Sequence, residues 1–124
     1  MTLTPVSTTL VIGSSAGARE TVIAAAIAGA VPCNTAVILE GMPDGIERLA
    51  STDTLSIARI APGCPCCIGN LTMRVTLNRI LRHAPARLYI SLATAAHLHQ
   101  VRQFLSEAPY DRLLVLTADI DAVD

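Results

Sequence analysis

Four runs of mainly apolar residues without regular alternation stand out along the chain. Strands that are covered on both faces lack the alternation of half-buried strands, so these runs predict buried strands of a parallel sheet. Leu55 to Ile60 is predicted as a further short strand that leads into a cysteine-rich segment. The four runs are Thr8 to Ile12, Thr35 to Leu39, Ala86 to Leu92 and Leu113 to Thr117.

Helical patterns separate these runs. Arg19 to Gly29 is rich in alanine and has a glycine near its end, which is typical of a helix. Ile46 to Ala50 is predicted as a short helix and Ala93 to Leu105 as a longer one. Ile68 to His83 has apolar and polar residues at helical spacing. Its predicted buried face is Leu71, Val75, Leu77 or Asn78, and Leu81, and its predicted wet face is Thr72, Arg74, Asn78 and Arg82.

Alternation of strands and helices predicts an α/β fold: a mostly parallel sheet of four or five strands with helices on both faces. The 124 residues suit a single domain that spans residues 1–124. Because 52% of the residues are hydrophobic and only 15% are charged, such a domain can bury a substantial core.

Charge and terminal sequence exclude several functional classes. The net charge of −1 argues against a nucleic-acid or anionic-membrane partner. The N-terminal residues have no basic region, so no signal peptide is expected, and no apolar run reaches the roughly 18 residues of a membrane span. We therefore expect a cytoplasmic protein with reduced cysteines, which favours metal or redox chemistry over structural disulfides.

The segment Gly63-Cys64-Pro65-Cys66-Cys67 concentrates three of the four cysteines. Thiolates are the softest protein ligands and select zinc, copper(I) and similar ions. The glycine and the proline favour a turn that can direct several sulfur atoms to one point. Buried cysteines that only pack as small apolar residues are the alternative interpretation. A helix that begins after the cluster would help to stabilise thiolates at Cys66 and Cys67 through its dipole.

The first strand is followed by a glycine turn and a helix, which is the layout of a phosphate-binding loop. Set against G-x-x-x-x-G-K-[ST], the chain has Gly13 followed by Ala18, Arg19 and Glu20 at the last three motif positions. All nine basic residues are arginines, so no lysine can act on a phosphate. An ordinary βα turn is the alternative. GTP and Mg²⁺ are not expected, and any weak anion site would use Gly13, Ser14, Ser15, Ala16, Gly17, Ala18 and Arg19, with Thr21 as a partial substitute for the missing hydroxyl.

Two further sets of residues are candidate ligands. Glu40 and Asp44 stand at the two ends of the loop after the second strand, where carboxylates often act in α/β folds. His97 and His99 are spaced i, i+2 on a predicted helix and therefore point to different sides, which argues against one shared ion.

Together the glycine turn, AVILEGMPDG, GCPCC and RLYISLATAAHL resemble the N-terminal half of the CobW-like P-loop GTPases, a metal-trafficking family. In that family the corresponding segments read roughly GFLGAGKTT, NEFGE, GCICC and ETTG. The resemblance covers about residues 8–119, and GCPCC is its specific part. It implies a P-loop NTPase-like fold, a role in metal trafficking and an acidic residue at Asp44, which stands at the last glutamate of NEFGE.

Departures from the family pattern concern the nucleotide site. Gly41 stands at the first glutamate of NEFGE, and Ser91-Leu92-Ala93-Thr94 stands on ETTG without its acidic residue or glycine. The chain also ends before any NKxD-type guanine-reading motif or C-terminal domain. The resemblance therefore implies a degenerate P-loop, and enzymatic activity is not expected.

Three hypotheses follow for the function. The first is a module that binds Zn²⁺ or another soft metal through Cys64, Cys66, Cys67 and Asp44, with Cys33, Glu40, water or a second subunit as other fourth ligands. The second is an active nucleotide hydrolase with an unorthodox loop, and the third is a scaffold protein with inert or redox-active cysteines. A half-length relative would expose sheet edges and apolar surface, so self-association as a homodimer, or a protein partner, is also expected.

Overall fold

The computed structural model describes residues 5–41, 45–46, 48–61 and 70–122. Within these ranges it contains strands β1 (Val6–Gly13), β2 (Thr35–Glu40), β3 (Leu55–Ile60), β4 (Arg87–Ser91), β5 (Leu114–Leu116) and β6 (Ile120–Ala122). The helices are α1 (Ala16–Ala28), α2 (Asn70–Leu81), α3 (Leu98–Leu105) and α4 (Tyr110–Leu113), and a 3-10 helix (Ala95–His97) precedes α3.

The strands form one sheet in the order β3-β2-β4-β1-β5, and β6 pairs with the far end of β1. Every pairing is parallel. The chain leaves β1 towards β2 on one side of the sheet and leaves β4 towards β5 on the other. The carboxyl ends of β1 and β4 therefore flank a topological switch point, which is where α/β sheets place their ligands. The predicted α/β fold with a parallel sheet is confirmed.

Both faces of the sheet are covered, which explains why its central strands lack alternation. On one face, Leu10, Ile38 and Ile90 pack in a cluster with residues of α2 and α3. On the other face, Val11 and Val37 pack with Ile23 of α1. Helices thus lie on both sides of the sheet, and three of the four apolar runs form its central strands β1, β2 and β4. The prediction of a buried strand at residues 113–117 was wrong: Leu113 ends α4, and β5 is a three-residue strand at the edge of the described sheet, with Val115 exposed.

Helix α2 buries a different face from the predicted one. Its buried residues include Met73, Leu77 and Ile80, whereas Leu71 and Val75 are 60% and 58% exposed. The prediction of a buried face through Leu71 and Val75 was therefore wrong. The sequence of this helix contains two overlapping apolar stripes at helical spacing, and the pattern alone does not decide which of them packs on the sheet.

Several element boundaries also differ from the sequence-based expectation. Helix α1 begins at Ala16 rather than Arg19, because Ser15 caps it: the Ser15 Oγ accepts the N–H of Ala18. Gly29 is its C-cap, as the glycine position predicted. The predicted helix at residues 46–50 is not formed by the described residues 46 and 48–50.

The C-terminal part of the chain has two elements that its composition hides. Pro109 is followed by the short helix α4, and the acidic residues near the end of the chain contribute the three-residue strand β6. Helix α3 is preceded by a 3-10 turn instead of running continuously from Ala93. None of the helices in the described ranges combines the length and the apolar character of a membrane-spanning segment.

Replacement of a central core residue should be far more destabilising than replacement of an exposed one. Ile38 on β2 has no exposed surface, whereas Val115 on β5 is 52% exposed. We expect Ile38→Ala to lower the free energy of unfolding by about 2–5 kcal/mol, because it leaves a cavity between the sheet and its helices. Val115→Ala should change it by no more than about 0.5 kcal/mol. Urea denaturation of both variants measures the difference, and equal effects would contradict this packing of β2.

Candidate functional site

The carboxyl edge of the sheet holds one buried cation. Arg19 of α1 is only 3% exposed, and its guanidinium group points to the ends of three strands. Its Nε donates to the Ser91 Oγ of β4 at 2.7 Å, its Nη1 to the Gly13 carbonyl of β1 at 2.8 Å and its Nη2 to the Glu40 carbonyl of β2 at 3.3 Å. Each of the three guanidinium nitrogens of Arg19 thus donates to an acceptor of the protein itself.

Close packing above Gly13 brings the arginine into this position. A Cβ atom at Gly13 would lie 2.7 Å from the Ala122 carbonyl oxygen of β6 and 3.2 Å from the Cγ of Arg19. No side chain fits there, so β6 and the aliphatic stem of Arg19 approach the backbone of β1 directly. Gly13 is therefore required here by space, independently of any phosphate.

Acidic groups compensate the buried charge. Burial lowers the pKa of the Arg19 guanidinium, and the carboxylates of Glu40 and Glu20 oppose that shift. An arginine remains protonated in proteins, so the group is a permanent buried cation. The Glu40 carboxylate is itself held in place, since its Oε1 accepts the N–H of Ala93 at 2.8 Å.

Glu20 stands at the motif position of the magnesium hydroxyl and is 2% exposed. Arg59 of β3 donates to both of its carboxylate oxygens, at 3.3 and 3.4 Å. This ion pair ties α1 to the edge strand of the sheet. The hydroxyl of Thr21, the partial substitute named from the sequence, donates to the Gly17 carbonyl at 2.8 Å within the same helix.

Residues 16–18 are helical, although the sequence predicts a glycine turn there. Within this first turn, the N–H of Ala18 is bonded to the Ser15 Oγ at 3.0 Å and the N–H of Arg19 to the Ser15 carbonyl at 3.2 Å. A phosphate-binding loop needs several free N–H groups that converge on one point. The anion site stays a prediction, although one of its donors, the N–H of Ala18, is already bonded to the Ser15 side chain. The residues predicted to form that site are Gly13, Ser14, Ser15, Ala16, Gly17, Ala18 and Arg19.

The predicted metal ligands Cys64, Cys66, Cys67 and Asp44 lie outside the described residues. The strands that precede the two ligand segments are described, and they end side by side at the same edge of the sheet. β3 ends at Ile60 and α2 begins at Asn70, while β2, the neighbour of β3, ends at Glu40. Both segments therefore leave the sheet at its carboxyl edge, from adjacent strands.

Other candidate ligands are dispersed. Cys33 precedes β2 at the amino edge of the sheet, with its Sγ 3.7 Å from the Thr35 Oγ1. His97 lies in the 3-10 helix after β4, and its Nδ1 is buried without a hydrogen-bond partner in the described part of the chain. His99 is exposed on α3. Among residues 5–41, 45–46, 48–61 and 70–122, no three His, Cys, Asp or Glu side chains form a group that could hold a metal ion.

A cavity of about 270 Å³ lies away from this chemistry, at the amino ends of β2 and β3. Its polar lining includes the side chains of Thr52, Asp53 and His83. None of the sequence-predicted site residues that the structure describes lines it, so it does not enter the candidate site.

The Arg19 cluster is a feature that sequence reasoning missed. From the sequence, Arg19 was a member of a possible weak anion site and Glu40 an alternative metal ligand. The structure joins Arg19, Glu40 and Ser91 in one network at the carboxyl edge. The available signal was the combination of an arginine in the first helix with polar residues at the ends of two apolar strands.

Comparison with known proteins finds a partial similarity to a curated protein. Over 82 residues the chain is 32% identical to the zinc chaperone YeiR of Escherichia coli (strain K12). The similarity covers 64% of the chain and 25% of that protein, so the chain spans about a quarter of the length of this curated relative. No family model matches the chain, and no solved structure matches it. The partial similarity agrees with the resemblance to CobW-like proteins that the sequence motifs carry.

Loss of the Arg19 guanidinium should destabilise the fold strongly. Arg19→Met retains a long apolar stem but leaves Glu40 without its neighbouring cation and Ser91 and two strand-end carbonyls without their donor. Removal of one partner from a buried ionic network costs about 3–5 kcal/mol.

Arg102 provides the matched control, because its ion pair with Asp119 at 2.6 Å is exposed. Arg102→Met should cost less than about 1 kcal/mol. Chemical denaturation compares the two variants, and a similar small loss for both would show that the Arg19 contacts are not structural.

Proposed function

We propose that this chain is a CobW-like domain that carries or senses a soft metal ion, most simply Zn²⁺, and that has lost GTPase chemistry. The ligands are Cys64, Cys66 and Cys67, with Asp44 in the fourth position. The observation that carries the proposal is the partial similarity to a zinc chaperone, in a chain with a C-x-C-C cluster.

The topology of the sheet supports this ligand set. Asp44 follows β2 and the cysteines follow β3, and these strands are neighbours in a parallel sheet. The carboxyl ends of parallel strands meet at one edge, so both ligand segments start from the same side of the domain.

Two alternative fourth ligands are disfavoured by their positions. Cys33 lies at the amino edge, and the six residues of β2 separate it from the carboxyl edge by about 20 Å, at roughly 3.3 Å per residue. The Glu40 carboxylate is occupied by the N–H of Ala93 and the charge of Arg19. Asp44 is the remaining acidic candidate that the resemblance names.

Three thiolates and one carboxylate suit a transferable ion. Zinc favours four tetrahedral ligands, with sulfur at about 2.3 Å. A carboxylate is a harder and more readily exchanged donor than a thiolate, so the fourth position can open to an acceptor site. This property agrees with trafficking better than with a permanent structural site.

The contacts of Arg19 and Glu20 support the proposed loss of GTPase chemistry. Phosphoryl transfer depends on cations and N–H groups placed around the β- and γ-phosphates. The Arg19 guanidinium instead donates to three protein acceptors, and the Glu20 carboxylate stands at the position of the magnesium ligand. The arginine fork is also not interchangeable with the compact ammonium of a P-loop lysine.

Metal titration tests the ligand set. Under reducing conditions, Co²⁺ added to the wild type should produce a thiolate-to-cobalt charge-transfer band, and Zn²⁺ should abolish it by competition. The Cys64→Ser/Cys66→Ser/Cys67→Ser variant should lose the band, whereas the matched control Cys33→Ser should keep it, because Cys33 lies at the opposite edge of the sheet. Binding should weaken as the pH falls, since the thiols must ionise to coordinate.

A negative titration would overturn the metal proposal. If the wild type shows no charge-transfer band and binds Zn²⁺ no more tightly than the triple serine variant, the metal proposal fails. The scaffold or redox interpretation of the cysteines then takes its place.

Nucleotide binding tests the proposed loss of the P-loop. We expect no Mg²⁺-dependent binding or turnover of GTP or ATP by the wild type, in calorimetry and phosphate-release assays. An Arg19→Lys/Glu20→Thr variant should not gain it, because residues 16–18 belong to a capped helix and the exchanged side chains do not rebuild the loop. Circular dichroism checks that the variant is folded. Mg²⁺-dependent GTP binding by the wild type would overturn this part of the proposal.

A further inference from the structure

The two edges of the sheet differ in length and continuity. At one edge, β5 and β6 are three residues each and are separated by residues 117–119. At the other edge, β3 is a continuous strand of six residues, all of which are in register with β2. Among the described strands, β3 therefore offers the longer uninterrupted edge.

Hydrogen bonds at its two ends show which β3 residues face outward. The N–H of Thr35 donates to the Thr54 carbonyl at 2.8 Å, and the N–H of Gly41 donates to the Ile60 carbonyl at 3.1 Å. Because the backbone direction alternates along a parallel strand, the even-numbered residues of β3 face β2. The odd-numbered residues Leu55, Ile57 and Arg59 direct their N–H and C=O groups away from the sheet.

Residues in the described part of the chain satisfy only part of this outward edge. The N–H and carbonyl of Leu55 are bonded to Thr52, at 3.4 and 2.9 Å. Ile57 and Arg59 have no outward backbone partner among the residues that the structure describes. Within the described ranges, four backbone groups in the middle of the strand thus have no partner.

The residues of β3 themselves carry none of the local features that usually protect an edge strand. Proteins shield edges with proline, lysine, bulges or unpaired charges. Leu55–Ile60 reads LSIARI, with no proline or lysine and with unbroken register to β2. Its one charged residue, Arg59, forms an ion pair with Glu20 and so does not present a free charge at the edge.

We infer that β3 is a homodimerisation edge, which pairs antiparallel with β3 of a second copy about a two-fold axis through Ala58. In this register Ile57 of one copy lies opposite Arg59 of the other. Directly opposite residues of this kind exchange both of their hydrogen bonds, so all four available groups of each copy are paired. The two Ala58 residues meet at the close, non-hydrogen-bonded position, where small side chains fit.

Charge and the number of unpaired backbone groups favour this register over the two registers in which the axis is shifted by one residue. A shift that centres the axis on Arg59 places two arginines directly opposite each other, and like charges at such positions are destabilising. A shift that centres it on Ile57 sets Arg59 opposite Leu55, whose backbone groups are already bonded to Thr52. A single short strand buries little surface, so the dimer should be a weak one.

The experiment separates this dimer from a metal-bridged one by using a chelator throughout. Light scattering of the wild-type chain should show a rise in mass between about 1 µM and about 1 mM, the range of weak interfaces. Amide hydrogen exchange should show protection of Ile57 and Arg59 that grows with concentration. Ser56 and Ala58 should be protected at every concentration, because their N–H groups belong to the ladder with β2.

A proline variant and a matched control test the edge directly. Ile57→Pro removes an outward donor without a ladder bond, which edge strands tolerate. It should weaken self-association by about tenfold or more, since the two-fold axis doubles the loss to two of the four hydrogen bonds. Leu116→Pro removes an outward N–H at the other edge, because Thr117 is the residue that donates to β1, and it should leave the dimer intact.

Two results would overturn the inference. One is a wild-type chain that stays monomeric throughout the concentration range. The other is a dimer in which the amides of Ile57 and Arg59 exchange as fast as in the monomer. If Ile57→Pro does not fold, the exchange of the wild-type amides decides alone. Since every measurement is made without metal, its outcome is independent of the proposed metal function.

Discussion

A permanently charged guanidinium group buried at the ends of three strands constrains the carboxyl edge of this domain. The desolvation of such a group costs several kcal/mol unless hydrogen bonds and opposite charges surround it. Here three acceptors come from three different strands, and the carboxylates of Glu40 and Glu20 supply the opposite charge. The ends of β1, β2 and β4 must therefore stay in register with each other, and α1 must start early enough to bring Arg19 above Gly13.

The same constraint explains why the sequence pattern was misleading at this site. Small residues after a buried strand are compatible both with an open phosphate loop and with a capped helix. Ser15 is a good N-cap, and the alanines that follow are strong helix formers, so local energetics favour the helix. In a phosphate loop a bound anion supplies the compensating charge, whereas here the protein supplies it through its own carboxylates. A comparison of residue types with a motif shows neither the capping of the helix nor the compensation of charge by carboxylates.

Elsewhere in the chain, an element was predictable when its pattern of apolar residues allowed only one buried arrangement. The central strands β1, β2 and β4 were predictable from sequence, because continuous apolar runs are typical of strands that are covered on both faces. The fourth run has the same pattern but forms the short edge strand β5. Helix α2 has two apolar stripes, and the choice of Met73, Leu77 and Ile80 over Leu71 and Val75 depends on the shape of the sheet that it covers. Strand β6 needs the close approach at Gly13, a tertiary contact that no local pattern reports.

Buried charge and edge geometry are connected through one ion pair. Glu20 contributes to the field at Arg19 and also binds Arg59, so the carboxylate that helps to hold the interior cation also neutralises the charge of the edge strand. Without Glu20, Arg59 would carry a free charge along β3, which is one of the devices that keep sheet edges from pairing. The residue that occupies the magnesium position of the motif is thus able to act at two places at once. It stabilises the buried cation at the carboxyl edge, and it neutralises the charge of the strand that we propose as the homodimerisation edge.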